Sequence, residues 1–350
     1  MTAAGWLETI ISLSVQIMLL ICTTALLVRW QKLSPHAHRL WAACHVSILF
    51  LAILAFGFPH LRLVSLTFET SHDRFLEEVR AVETVLGVVV LSLWGIGVAI
   101  SLLVLVAGSI KTVFFLKGSQ PVELNPNINI IGSQEVLIRS HAGIQSLFCW
   151  QIHQPVIILP EHILCLPANE LEMIIRHETE HLKAAHPLHL FLQRLVEAFF
   201  WFHPLVWWSS RQAVFSRESH CDNHSVTCNN DAIVYLQCLL RLAKQRHLKW
   251  SSLTTGFSFT TSSSLIQQRA TLLATHDWDS PRLQGNGHWG LISILGISIL
   301  SASLWIPLDI SETNRSLWSP WPRWSANSLH AIGISVRDYE IDNHRLQSHH

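Results

Sequence analysis

The stretch IIRHETEHLKAAHP, residues 174–187, decides how the chain is read. His177 and His181 stand four residues apart, and Glu178 directly follows the first. On a helix, positions i and i+4 share one face about one turn apart. Both imidazoles can therefore offer a nitrogen to one ion, while Glu178 is offset toward a water beside it. This is the HExxH arrangement of zinc peptidases, in which zinc acidifies a water and the glutamate takes and returns its proton. The competing reading is a chance pair: the chain has 22 histidines in 350 residues, so no single histidine is evidence for a metal.

The flanks favour a helix. PANELEMIIRHETEHLKAAH has Pro167 and Asn169 at its start and Leu171, Ile174, Ile175 and Leu182 at helical spacing. Pro187 is expected to end or kink it. A second helix is expected over about 188–202, stopping at His203-Pro204, and a third from about 205 toward 226. A catalytic zinc needs a third protein ligand. The third histidine of the extended HExxHxxGxxH pattern is missing. The candidate is a carboxylate on the third helix, Glu218 in SRESHCDNHSV, because the intervening helix lets the third run back beside the first. Asp222, one turn on, is placed to accept a hydrogen bond from the second nitrogen of a ligand histidine. His186, His189, His203, His220 and His224 read as surface or packing residues, with His220 nearest to an exception. Cys221 reads as a buried thiol that can compete for metal. Glu180 and Lys183 read as a solvated face.

Around this motif the composition is that of a membrane protein. The chain is 49% hydrophobic and 14% charged, against about 25% charged in soluble domains. Apolar runs at 7–28, 40–59, 84–110 and 289–307 each approach the roughly 20 residues of a helical span. The first lacks the basic lead of a signal peptide. Arg29, Lys32 and Arg39 follow the first run, and Lys111 and Lys117 the third. The positive-inside tendency then places the insert 111–287 in the cytoplasm. Seven scattered cysteines without a CxxC suit a reducing compartment. A net charge of zero gives no support for direct nucleic-acid binding. Short strands are expected in INIIGSQEVLIRS and QPVIILP, a loop over 251–264, and a short polar tail over 308–350 whose Trp318, Trp321 and Trp324 suit a membrane interface.

PVIILP, the block from His177 to Asp222, and YLQCLLRLA together resemble the BlaR/MecR-type antirepressor metallopeptidases, metallopeptidase family fifty-six. The resemblance covers residues 130–245, and the span layout extends it. It implies a mostly α membrane protein: three transmembrane helices within 1–110, a cytoplasmic α+β zincin-like (gluzincin) metalloprotease insert over 111–287, a fourth helix over 288–307 and an extracytoplasmic tail. It implies one catalytic Zn2+ held by His177, His181 and Glu218, with Glu178 catalytic and Asp222 supporting. It implies a cell-membrane protein cutting a cytoplasmic regulator, of the repressor kind these proteases inactivate. The chain departs from the family at His186-Pro187, where an acidic residue is usual, and at Asn223, where a second Asp is frequent. The tail from Leu308 is too short for the penicillin-binding domain of the β-lactam sensors, and Ser-x-x-Lys is absent, so no β-lactam binding is expected. Two alternatives share these features: a non-proteolytic membrane transducer or scaffold, and a housekeeping membrane protease of the HtpX kind.

Overall fold

The structure, a computed structural model, describes residues 3–30, 36–59, 61–62, 73–122, 136–144, 147–151, 154–248, 263–276, 278, 288–302, 304–306, 321 and 323–336. Most of them are helical. The apolar N-terminal third builds α1 (Ala3–Trp30), α2 (Ala37–Gly57), the two-residue β1 (Leu61–Arg62) and α3 (Asp73–Gly118). Four strands follow: β2 (Gln120–Pro121), β3 (Leu137–His141), β4 (Phe148–Trp150) and β5 (Val156–Pro160). Then come α4 (Ala168–Lys183), α5 (His186–Phe199), α6 (Pro204–Ser225), α7 (Asn229–Leu248), α8 (Ser263–Thr275), α9 (His288–Ala302), β6 (Leu304–Trp305) and α10 (Arg323–Ala331).

Among the described residues, three helices are long and apolar enough to cross a membrane, over Trp6–Trp30, Ala37–Ala55 and Thr84–Gly118. Several hydroxyls within them bond back to their own helix, as Ser14 to Ile10 and Thr24 to Leu20, which satisfies them without water. The third helix is longer than its apolar run. Its 46 residues extend roughly 70 Å at 1.5 Å per residue, about twice a hydrocarbon core, so it carries the chain on toward the sheet. The fourth expected span differs. Its helix is only the 15 residues of α9, roughly 22 Å. The chain beyond it is extended as β6, pairing in parallel with β1. Gln16 and Ser12 on α1 hold this ribbon through Leu304 and Ile306. Backbone bonds to β1 and side-chain bonds to α1 outweigh helical continuation there.

The sheet order is β2-β3-β5-β4, with β5 parallel to β3 and antiparallel to β4. Every residue of VIILP is buried, because β5 is central and covered. Leu171, Ile174, Ile175 and Leu182 of α4 pack on Ile138, Ile157 and Leu159. This apolar stripe is what orients the opposite face of α4 toward α6. Neither β2 nor β4 is expected from sequence, since both are too short for a periodic pattern. Of the expected strand INIIGSQEVLIRS, residues 128–135 lie outside the described residues, as do 251–262 of the expected loop and Trp318.

Pro187 is not what ends α4. The helix stops at Lys183, Ala185 adopts the left-handed conformation at φ 53, and Pro187 lies in the first turn of α5. A first-turn proline has no intrahelical N–H to lose, so it starts the second helix rather than terminating the first.

The block LVEAFFWFHPLVWW packs against the spans. Val196, Phe200, Val206 and Ala213 share one core with Leu13, Ile17, Leu40, Trp41 and Ile48 of α1 and α2. At the turn between α5 and α6, His203 lies 3.2 Å from the Ser14 carbonyl. That point is roughly 24 Å along α1 from Trp30. On the other side, Trp94 of α3 donates to the Phe199 carbonyl at 2.9 Å. Gly97 leaves room for the Trp201 ring, whose atoms lie 2.2 Å from where a Cβ would stand. Overpacking such a contact costs about 1–3 kcal/mol. Gly97→Leu should therefore lower the midpoint of thermal unfolding in detergent, and Trp201→Ala should recover most of that loss when combined with it. A strictly additive double variant would rule out this contact.

Candidate functional site

The polar face of α4 meets α6 in a buried pocket of charge. His177 Nε2 and His181 Nε2 lie 3.2 Å apart. The Glu218 carboxylate spans them, with Oε2 3.6 Å from His177 Nε2 and Oε1 3.6 Å from His181 Nε2. All three side chains are buried. Asp222 lies one turn beyond Glu218 and turns to the other nitrogen of His177, with Oδ1 3.2 Å from Nδ1. That contact favours the His177 tautomer with its proton on Nδ1, leaving Nε2 facing Glu218.

Several residues that the sequence did not single out complete the site. Arg269 on α8 donates through Nη1 to Glu218 Oε2 at 2.6 Å, and through Nε and Nη2 to Asp222 at 2.9 and 2.7 Å. Tyr235 on α7 donates its O–H to Asp222 Oδ1 at 2.7 Å, and its oxygen lies 2.9 Å from His177 Nδ1. Arg269 Nη2 also donates to that oxygen at 2.9 Å. His186, read from sequence as a surface or packing residue, is fully buried, with Nδ1 2.9 Å from His181 Nδ1. It sits behind the second motif histidine as Asp222 sits behind the first. Cys149 on β4 donates its S–H to Glu178 Oε2 at 3.0 Å. No local signal gave these residues a role in the site: each comes from a separate element and meets the motif through the tertiary fold.

Burial alone would lower the His177 pKa, but hydrogen bonds to Asp222 and Glu218 lift it to about 9. His181 is pushed down to about 3 by burial, which outweighs Glu218. Burial likewise keeps His186 neutral. Burial would raise Glu218, yet Arg269 and the histidines hold it well below the usual carboxylate range. Glu178 is raised, mainly by burial, with His177 and the Cys149 hydrogen bond opposing. Burial and neighbouring carboxylates push the Cys221 thiol far up.

This donor set suits a metal dication. Two carboxylates face one guanidinium, and the surplus negative charge is what draws a proton onto His177. Two imidazole nitrogens and an ionised carboxylate oxygen converge, the ligand chemistry of His2Glu sites. Cys221 also lies with its sulfur within 4.8 Å of donor nitrogens of His177 and His181. Glu218 is the better third donor, being ionised and clamped, while the Cys221 thiol holds its proton.

Site and fold together define a helical membrane-associated protein with an HExxH helix and a buried carboxylate opposite it. The family model for BlaR1 peptidase M56 matches residues 5–273, more than half of the chain. The chain belongs to the BlaR1 peptidase M56 family, a metallopeptidase family, which implies a metal cofactor. It is 26% identical over 197 residues to a protein named Regulatory protein BlaR1 from Bacillus licheniformis. That match covers 54% of this chain and 30% of the relative's length.

Arg269 carries a stability prediction. Removing one partner of a buried charge pair costs about 3–5 kcal/mol, because the other charges are left uncompensated. Arg269→Leu should destabilise the fold by that amount, measured by denaturant unfolding in detergent. The Asp222 pKa is depressed from 3.8 to about 2, so its contribution is present above pH 3.8 and lost as pH falls through 2. The wild-type advantage over Arg269→Leu should shrink across that window, and a difference independent of acidification would refute the assignment.

Proposed function

We propose that the chain is a membrane-tethered zinc endopeptidase that cuts a cytoplasmic regulatory protein of the repressor kind. In this reading the active site is on the cytoplasmic side of the cell membrane, α9 with its extended continuation counts as a fourth membrane segment, and residues 111–287 form the peptidase insert. The observation that carries the reading is the convergence of His177 Nε2, His181 Nε2 and Glu218 beside Glu178.

When bound by His177, His181 and Glu218, zinc supplies Lewis-acid polarisation. The chain's own residues do the rest. Asp222 and Tyr235 hold His177, and His186 holds His181, so both Nε2 atoms stay aimed at one point. Arg269 fixes Glu218 Oε2 and leaves Oε1 turned toward His181. Glu178 takes a proton from the attacking water and returns it to the leaving amine. Its Oε2 is engaged by Cys149, so Oε1 is the atom that takes part. The raised Glu178 pKa brings its proton affinity nearer neutrality, which suits a group that must both accept and release. β4 is an edge strand of the sheet and carries Cys149 against Glu178. An extended peptide adding to that edge would lie along the site. The substrate class is therefore an extended, unfolded protein segment.

Two experiments test this. Glu178→Gln should keep zinc but lose cleavage by at least about a hundredfold, as expected for a general base, and should trap the substrate in membranes, read by mass spectrometry. His177→Ala should lose both zinc and cleavage. Wild-type membranes without self-cleavage or substrate cleavage, and a trap that enriches no protein, would overturn the protease reading. In the second experiment, Cys149→Ala removes a hydrogen bond that lowers the Glu178 pKa. The acid limb of kcat/KM should move to higher pH, and Cys149→Ser should hold it near the wild-type position. A limb that moves down in Cys149→Ala would contradict the assignment of Glu178 as the base.

A further inference from the structure

Helices α4 and α6 meet a second time with their parts exchanged. In the pocket described above, α4 supplies two histidines four residues apart and α6 supplies the carboxylate of Glu218. Nearer solvent, α6 supplies the pair, His220 and His224, and α4 supplies the carboxylate of Glu180. One donor atom of each residue lies within 4.8 Å of those of the other two. Glu180 and His220 are half-buried and His224 is exposed, so an ion can reach the set from solution. The set has no residue in common with His177, His181 and Glu218.

A solvated face is a poor account of this convergence. Glu180 reads that way from sequence, yet its side chain is only 15% exposed and faces two imidazoles of the neighbouring helix. Residues i and i+4 share a helix face, and the His220 and His224 rings stand 4.2 Å apart between centroids. His224 donates its Nδ1–H to the His220 carbonyl at 2.8 Å. That bond fixes the proton on Nδ1 and leaves Nε2 with a lone pair, the usual preparation of a ligand imidazole. The His220 ring lies 3.9 Å from that of His38 between centroids, tilted by 36°, a contact of ring faces that does not use up a ring nitrogen. Lys183 donates to Glu180 Oε1 at 2.6 Å. Lys183 is itself exposed, and such a pair is weak enough for an ion to displace. Around a tetrahedral zinc, donor atoms stand roughly 3.4 Å apart, so side-chain rotations of about an ångström close the set.

We propose that Glu180, His220 and His224 form a second metal site, for a borderline transition-metal dication such as zinc. Two imidazoles suit zinc, copper and nickel, and disfavour the hard cations that need oxygen donors. The ion ties α4 to α6 on the solvent side of the pocket. Because one ligand is exposed, this site exchanges its ion with solution more readily than the buried one does.

The test is a titration. The full-length chain in detergent is loaded with one equivalent of Zn2+, and further Zn2+ is added in a calorimeter. Wild type should bind one further ion. Glu180→Gln, His220→Gln and His224→Gln should each weaken that step at least tenfold, since losing a ligand costs no less than losing a group that supports one. His224 is exposed, so His224→Gln tests the site without disturbing the core. Lys183→Met should strengthen the step about two- to fivefold, the worth of the exposed ion pair that the zinc displaces. His276→Gln, an exposed histidine outside the set, should leave it unchanged. Absence of a further step in wild type overturns the proposal, as does an unaltered step in both Glu180→Gln and His224→Gln. Weakening in His220→Gln with none in His224→Gln also overturns it, because the ion then lies elsewhere around His220.

Discussion

The rest of the site depends on one guanidinium. Arg269 closes on Glu218 and Asp222 at 2.6 to 2.9 Å, in a place where all three are buried. Two carboxylates brought together out of water would otherwise neutralise one another's charge by taking up protons. With Arg269 between them both stay ionised, and both are turned to the motif histidines. The clamp also decides which oxygen of Glu218 is left over. Because one positive charge does not balance two negative ones, the pocket still attracts more, and His177 answers with a raised pKa. Under the proposed zinc reading a proton on His177 would compete with the ion for that same surplus, so metal affinity would fall as His177 takes up its proton below about pH 9.

The pocket is anchored to the spans as much as to the sheet. Helix α4 is seated on β5 by Ile174, Ile175 and Leu182. Helix α6 has no such seat. It is held by α5 and by the buried side chains of α1 and α2, with His45 of α2 meeting Ser209 at 3.3 Å. The two helices whose side chains meet in the pocket are thus positioned by different bodies of apolar packing. One belongs to the sheet and the other to the membrane spans. Exposed Phe202, Trp207 and Trp208 near the hairpin turn fit the same picture, since aromatic side chains left uncovered beside apolar spans are suited to lipid.

The motif helix was legible in the sequence because its evidence is local. Two histidines at i and i+4, a glutamate beside them and an apolar stripe opposite are all visible within one helix. Glu218 and Asp222 were legible for the same reason, being one turn apart. What was not legible depends on contacts between distant elements. Arg269 stands in QQRATLLAT, a stretch with no motif, and Tyr235 opens YLQCLLRLA, which carried the family resemblance but gave the tyrosine no role. Both reach the site only because α7 packs against α4 and α8 packs against α7 and α6. His186 was passed over for a different reason. In a histidine-rich chain its identity carried little weight, and only burial and a 2.9 Å contact distinguish it from its neighbours. Pro187 was misread because proline breaks a helix interior and starts a helix equally well, and sequence alone does not say which.

His186 bears on the motif helix in a way a carboxylate would not. A carboxylate at that place would accept the His181 Nδ1 proton. A neutral imidazole accepts that proton too, through its own Nδ1, and burial keeps His186 neutral and therefore able to accept. The exchange is not equivalent, however. A carboxylate brings a charge and ends the hydrogen-bond chain, whereas an imidazole brings no charge and has a second nitrogen. The ring that orients His181 also lies against His38 and His220, with centroids 5.2 and 5.5 Å away, and so brings the first residues of α2 up to the motif helix.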